Sequence, residues 1–175
     1  MNIIVAPADP KDVRGMHEVR FNTWLATYPN KELGITEDDV RYQLRDLFTE
    51  EGLEKTAGRL RNPAAGEAMF FAKDGDRVIG FCGIKESEEE NRLSSIYVLP
   101  EYQGKGIGKK LWQTVAPLFN PEKDTFVRVA SYNMQAIDFY KRLGFTDTGR
   151  RWLDEKYRLK SGAIIPEMEL VLRKA

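Results

Sequence analysis

The sequence has one cysteine, Cys82, and one histidine, His17. A lone cysteine can form no disulfide within the chain, which favours a reducing compartment. It sits in the apolar run "VIGFCGI", where a buried, inert thiol is expected rather than a nucleophile. Zinc sites draw on several Cys and His ligands, so no metal is expected. An excess of charge is missing too. Lys plus Arg and Asp plus Glu number 27 each, so no overall field would recruit nucleic acid or an anionic membrane. No apolar run approaches the ~20 residues of a membrane span. The start, "MNIIVAPADP", lacks the basic segment and the apolar length of a signal peptide. A cytoplasmic location is expected, with neither nucleic acid nor membrane as partner.

What is present fits one domain over residues 1–175, with 42% hydrophobic and 31% charged residues. "NIIVAP" reads as a first strand. A helix follows through Tyr28, with Asp9 as N-cap and Pro10 in its first turn. "TEDDVRYQLRDLF" opens near a capping box at Thr36 and Asp39, and its spacing predicts a helix to Phe48 that buries Val40, Leu44 and Leu47. A third helix runs through Leu53 and Leu60. Two β-rich runs flank Asp74-Gly75, a hairpin signal, and "RLSSIYVL" is a further strand stopped by Pro100. Then come a helix from Ile107 to Phe119, the strand "TFVRVA", a helix closed by Gly144, and the strands "FTDTGRRW" and "IIPEMELVL". This order predicts an α/β (α+β) fold, a mixed, mostly antiparallel sheet of about seven strands with helices on both faces.

One loop carries chemistry. "PEYQGKGIGKK" spaces Gly104, Gly106 and Gly108 on alternate positions before a helix. Glycines let backbone amides approach a phosphate, and a helix start adds its positive dipole end. The Walker A spacing and the dinucleotide fingerprint both demand a glycine where Lys109 stands, so both nucleotide readings fail.

The residues do fit Q-x-x-G-x-G, as Gln103, Gly106 and Gly108. From about Leu93 to Gly149, "IYVLPEYQGKGIGKKLW" followed by "VASYNMQAIDFYKRLGFTDTG" resembles the acetyl-CoA-binding half of the GNAT family, the Gcn5-related N-acetyltransferases. The resemblance implies acetyl-CoA as co-substrate. It implies a bulge that splays the strand before the loop from its parallel neighbour. The pantetheine arm would lie in that gap against the backbone of Tyr97, Val98 and Leu99, with the Val98 N–H polarising the acetyl carbonyl. Gln103, Gly104, Lys105, Gly106, Ile107, Gly108, Lys109 and Lys110 would surround the pyrophosphate. Asn133 would cap its helix and touch the CoA arm. Tyr140 would face the sulfur, bind CoA and protonate the leaving thiolate.

The sequence departs from one common pattern of the family. Many members carry a Glu near the start of the central strand as general base, and here "ENRLSSIYV" has none after Glu90. No base is named. The acceptor end is expected between the first two helices and the last hairpin, with Trp24 and Tyr28, four apart on one helix face, as candidates for lining it. An N-acetyltransferase acting on a polyamine or other small amine is expected. A non-catalytic acetyl-CoA-binding module, or an enzyme for protein N-termini or lysines, are the alternatives. A homodimer through an exposed edge of "MELVL" is a further possibility.

Overall fold

The computed structural model describes residues 2–174. Seven strands form one sheet: β1 Ile3–Pro7, β2 Glu67–Asp74, β3 Arg77–Glu86, β4 Asn91–Val98, β5 Thr125–Ala130, β6 Thr146–Trp152 and β7 Glu167–Leu172. Their spatial order is β1-β2-β3-β4-β5-β7-β6. Only β4 and β5 run parallel; every other neighbouring pair is antiparallel. The expected mixed, mostly antiparallel sheet is present.

Five helices complete the fold: α1 Val13–Thr27, α2 Glu37–Gln43, α3 Glu50–Arg61, α4 Ile107–Val115 and α5 Met134–Arg142. The capping box at α2 is complete, since Thr36 Oγ1 accepts from Asp39 N–H and Asp39 returns a bond to Thr36 N–H. Two helices are shorter than the sequence pattern predicts. Past Gln43 the backbone bonds become i→i−3 turns, Arg45 to Tyr42 and Leu47 to Leu44. The Leu47 carbonyl accepts a tertiary bond from His17 Nδ1 at 2.6 Å. α4 ends at Val115, and a single 3-10 turn spans Ala116–Leu118, because Pro117 has no N–H to extend the ladder. A like turn at Pro10–Asp12, capped by Asp9, precedes α1.

One core joins both halves of the sheet, with Phe81, Ile79, Leu93, Leu111, Val127 and Leu170 nearly or wholly excluded from water. Burying each such side chain contributes roughly 1.5–3 kcal/mol. His17 is wholly buried between Leu47 and Thr56, a structural position. Cys82 is buried as expected, and burial pushes its thiol up to about 12.

The expectation for the C-terminal strand is corrected. β7 is not an edge: it pairs with β5 on one side and β6 on the other. The outer strand of this half is β6, so "MELVL" has no free edge with which to dimerise. Among the described residues no helix is long and apolar enough to cross a membrane, and no group of His, Cys, Asp and Glu could hold a metal.

Candidate active site

The sheet opens where the two parallel strands meet. β4 and β5 pair only over Asn91–Thr125, Arg92–Phe126 and Leu93–Val127. Next along β4 is a bulge: Gly83 faces Ser95 while Ile84 faces Leu93, so Ser94 is the extra residue. A bulge bends its strand and breaks the ladder, and beyond it β4 and β5 diverge. The expected splay is therefore present, with Ser94 as its cause.

Alternation along an antiparallel ladder decides which amides enter the gap. Leu99 N–H is spent on the Ile79 carbonyl, and the Tyr97 carbonyl points at β3, close over Gly80. Ile96 and Val98 therefore turn their main-chain groups to the gap. Of the expected backbone set, Tyr97 and Leu99 turn their main-chain groups to β3, and Ile96 is the residue that shares the gap with Val98. Tyr97 contributes its side chain instead, and Leu99 is 2% exposed in the core.

A cavity of about 400 Å³ occupies the gap and continues over the glycine loop. Tyr97, Val98, Gln103, Gly104 and Gly106 line it, as do Ile107, Gly108 and Lys109 at the start of α4. Gly104 and Gly106 have φ of +73° and +80°, a region that side-chain-bearing residues avoid. Their turn leaves the amides of residues 104–109 without backbone partners among the described residues. Gly108 serves packing. A Cβ there would lie 3.3 Å from the Phe139 ring, so glycine lets α4 and α5 close up. Gln103 is more structural than expected, since its Nε2 donates to the Val98 carbonyl at 3.0 Å and its Oε1 accepts from Gln135 at 3.1 Å.

Two lysines of the motif lie off the cavity lining. Lys105 Nζ donates to the Glu101 carbonyl at 2.7 Å and stands over the Tyr102 ring. Lys110 Nζ reaches the Ile3 carbonyl on β1.

α5 brings Asn133, Phe139 and Tyr140 to the other wall. Asn133 Oδ1 accepts from Ala136 N–H at 3.1 Å, the expected N-cap. Tyr140 is 5% exposed. Burial first, then the neighbouring Tyr97 and Cys82, hold its phenol well above the usual range. The Tyr140 hydroxyl has no hydrogen-bond partner among the described residues, yet it is not sealed from solvent as Trp24 Nε1 is; it opens on the cavity.

The far end is built by α1. Thr23, Thr27 and Tyr28 line the cavity; Trp24 does not. Trp24 packs edge-on against Tyr28, ring centroids 4.7 Å apart. Burial, with Tyr97 close by, also raises the Tyr28 phenol well above its usual range. Sequence reasoning missed Thr23, Thr27, Ser94, Ser95 and Arg128, all on the cavity wall. Arg128 had a visible signal, a charge inside the apolar strand "TFVRVA". The others are ordinary polar residues that only the bulge and the helix packing bring to the gap.

Residues 31–145 match the family model for the Acetyltransferase (GNAT) family, and the chain belongs to that family. It is 42% identical to the pig thialysine N-epsilon-acetyltransferase over 87 residues, 49% of this chain and 51% of that protein. It is 32% identical over 97 residues to a Bacillus subtilis protein named as a putative [ribosomal protein bS18]-alanine N-acetyltransferase, 53% of this chain and 61% of that one. The chain thus spans about half the length of the curated relatives it matches. The crystal structure of the PaiA N-acetyltransferase from Thermoplasma acidophilum, in complex with coenzyme A, superposes with a TM-score of 0.70 at 21% identity. It covers 95% of this chain and 98% of that one, a likeness of fold.

Proposed function

We propose that this protein is an acetyl-CoA-dependent N-acetyltransferase that moves the acetyl group directly to a primary amine while both substrates are bound. The observation that carries the reading is the continuity of one cavity from the unpaired amides of residues 104–109, through the gap beside Ile96 and Val98, to the Tyr140 hydroxyl.

Each part has a physical task. Amides at a helix start, unpaired among the described residues, suit a pyrophosphate, and hydrogen bonds to a charged group contribute about 1.5–3 kcal/mol each. Lys109 adds positive charge at the same wall. The outward main-chain groups of Ile96 take an amide of the pantetheine arm as an added strand would. The Val98 N–H then polarises the thioester carbonyl and stabilises the oxyanion formed when the amine attacks. As the carbon–sulfur bond breaks, the Tyr140 hydroxyl gives its proton to the departing sulfur. Its raised pKa keeps that proton in place at neutral pH. The buried Cys82, with its thiol pushed up to about 12, is unsuited to an acyl-enzyme, which supports direct transfer.

A small primary amine, a polyamine among the candidates, is the acceptor this reading favours. A peptide N-terminus or lysine is a second reading, supported by the relative named for ribosomal-protein alanine acetylation. The test combines two measurements: thiol release from acetyl-CoA over a panel of amines and peptides, and the melting temperature with CoA. Release with at least one acceptor, together with a CoA-dependent rise in Tm, is expected. No release with any acceptor, and no rise, would overturn the reading. A rise without release would instead mark a non-catalytic acetyl-CoA-binding module.

A further inference from the structure

An amine reaches the site as an ammonium and must lose a proton before its nitrogen can attack. The strand start where the family often supplies a carboxylate has none here. The structure offers one from another strand.

Glu167 is the first residue of β7. Its cross-strand partners are Ala130 on β5 and Trp152 on β6, so these three share one face of the sheet. Arg128, two residues before Ala130, lies on the same face and lines the cavity. The Arg128 guanidinium does not close on the carboxylate; it stacks over the Trp152 ring at 4.0 Å. Above this patch, Tyr132 Oη donates to the Tyr28 carbonyl at 2.8 Å, and Ser131 N–H donates to the Pro166 carbonyl at 2.8 Å. These bonds hold the cavity end of α1 over the start of β7. The other carboxylate of this sheet face, Glu169, sits between Arg92 and Arg150 at 3.5 and 3.4 Å. Glu167 is half-buried and has neither an ion pair nor a hydrogen bond to its carboxylate among the described residues.

Glu167 does not itself line the cavity, but Arg128 and Tyr28 beside it do. We propose that Glu167 receives the acceptor's ammonium next to that end of the cavity and takes the proton that frees the nitrogen for attack. The inference rests on the acetyl-transfer reading above. The balance is simple. The ammonium gives one proton to the Glu167 carboxylate, the nitrogen lone pair forms the bond to the acetyl carbon, and the carbon–sulfur bond breaks with its electrons on sulfur. The nitrogen's second proton replaces the one that sulfur takes from Tyr140, and the Glu167 carboxyl returns its proton to solvent, so one proton is released overall.

The charged and titratable groups facing Glu167 are Arg128 from β5, Asp154 after β6 and Tyr28 from α1. Burial raises the carboxyl above its usual range, Arg128 opposes that and Asp154 adds to it. A raised pKa brings a carboxylate closer to the proton affinity that general-base work needs. An unpaired, partly desolvated anion also attracts a cation more strongly than an exposed one does. The Glu167 carboxylate therefore favours a cationic acceptor over a neutral or acidic one.

The experiment uses the full chain with saturating acetyl-CoA and 1,5-diaminopentane as probe, followed by thiol release and, at saturating CoA, by calorimetric binding. Glu167→Gln is expected to raise KM or Kd for the diamine at least tenfold and to remove the acid limb of the kcat/KM profile. The CoA-dependent Tm shift should stay unchanged. Glu167→Asp, which keeps the charge, should recover part of the loss and covers the case in which Glu167→Gln folds poorly. Glu167→Gln within twofold of wild type in KM, Kd and pH profile overturns the inference while leaving acetyl transfer standing. If wild type neither binds nor acetylates the diamine, the inference is also overturned, and the amine panel and CoA shift decide the transfer reading separately.

Discussion

Gln103 Nε2 donates a hydrogen bond of 3.0 Å to the main-chain carbonyl of Val98. This bond ties the glycine loop to the end of the strand whose N–H faces the gap. It occupies the Val98 carbonyl, so the free main-chain group that Val98 turns to a bound thioester is its N–H. Gln103→Ala removes the tie and the contact to Gln135. A neutral hydrogen bond contributes about 0.5–1.5 kcal/mol, so CoA affinity should fall by roughly three- to tenfold. Isothermal titration with CoA measures it, and an unchanged Kd would show that the loop holds its place without Gln103.

The loop glycines make a second, sharper case. Gly106 is the N-cap of α4 at φ +80° with open space around it. Steric crowding therefore plays no part in Gly106→Ala, and only backbone strain does. A side chain in left-handed geometry costs about 1–2 kcal/mol. A loss of that size in urea unfolding is expected, with weaker CoA binding as the amides of residues 104–109 shift. Gly108→Ala acts differently, through the 3.3 Å approach to Phe139. It should alter the packing of α4 on α5 more than the loop.

How far the sequence carried follows from the range of the interactions. The loop was legible because left-handed glycines and a following helix are local demands, written within seven residues. The Thr36–Asp39 capping box and the Asp74-Gly75 hairpin were legible for the same reason. The order of the last strands was not. "TDTGRRW" and "EMELVL" both read as strands, and which of them is the edge depends on β7 inserting beside β5, a pairing set by distant residues. A bulge in β4 was expected from resemblance alone and its place at Ser94 was not, since an extra residue leaves no mark on the hydrophobic pattern. Glu167 was invisible as a site residue. It lies well over a hundred residues from Tyr28 in sequence, and only the sheet order brings them together.

Tyr140→Phe tests the acid role with little disturbance of packing, since the ring is kept against Phe139 and Phe145. General acid catalysis contributes about 10²–10⁴-fold, so a fall in kcat of that order is expected, with CoA affinity within about twofold. Burial holds the Tyr140 proton well above the ordinary phenol range. Loss of that proton should therefore not limit wild-type activity below pH 10. An alkaline limb that disappears in Tyr140→Phe at lower pH would contradict this assignment.

The last prediction concerns stability and Asp39. Its carboxylate is buried, which alone would raise its pKa. Bonds from Thr36 at the start of α2 and from Ser161 N–H at 2.7 Å outweigh burial and lower the pKa from 3.8 to about 2. The ionised form is thus favoured by folding. Its contribution is fully present above the unfolded value near 3.8 and is lost as pH falls through about 2. Asp39→Ala should cost about 0.5–2 kcal/mol at pH 7, the range for losing a helix cap. The gap between variant and wild type should narrow steadily from pH 4 toward pH 2. Urea denaturation at a series of pH values reads both effects. A gap that stays constant over that window would show that Asp39 acts through packing rather than through its charge.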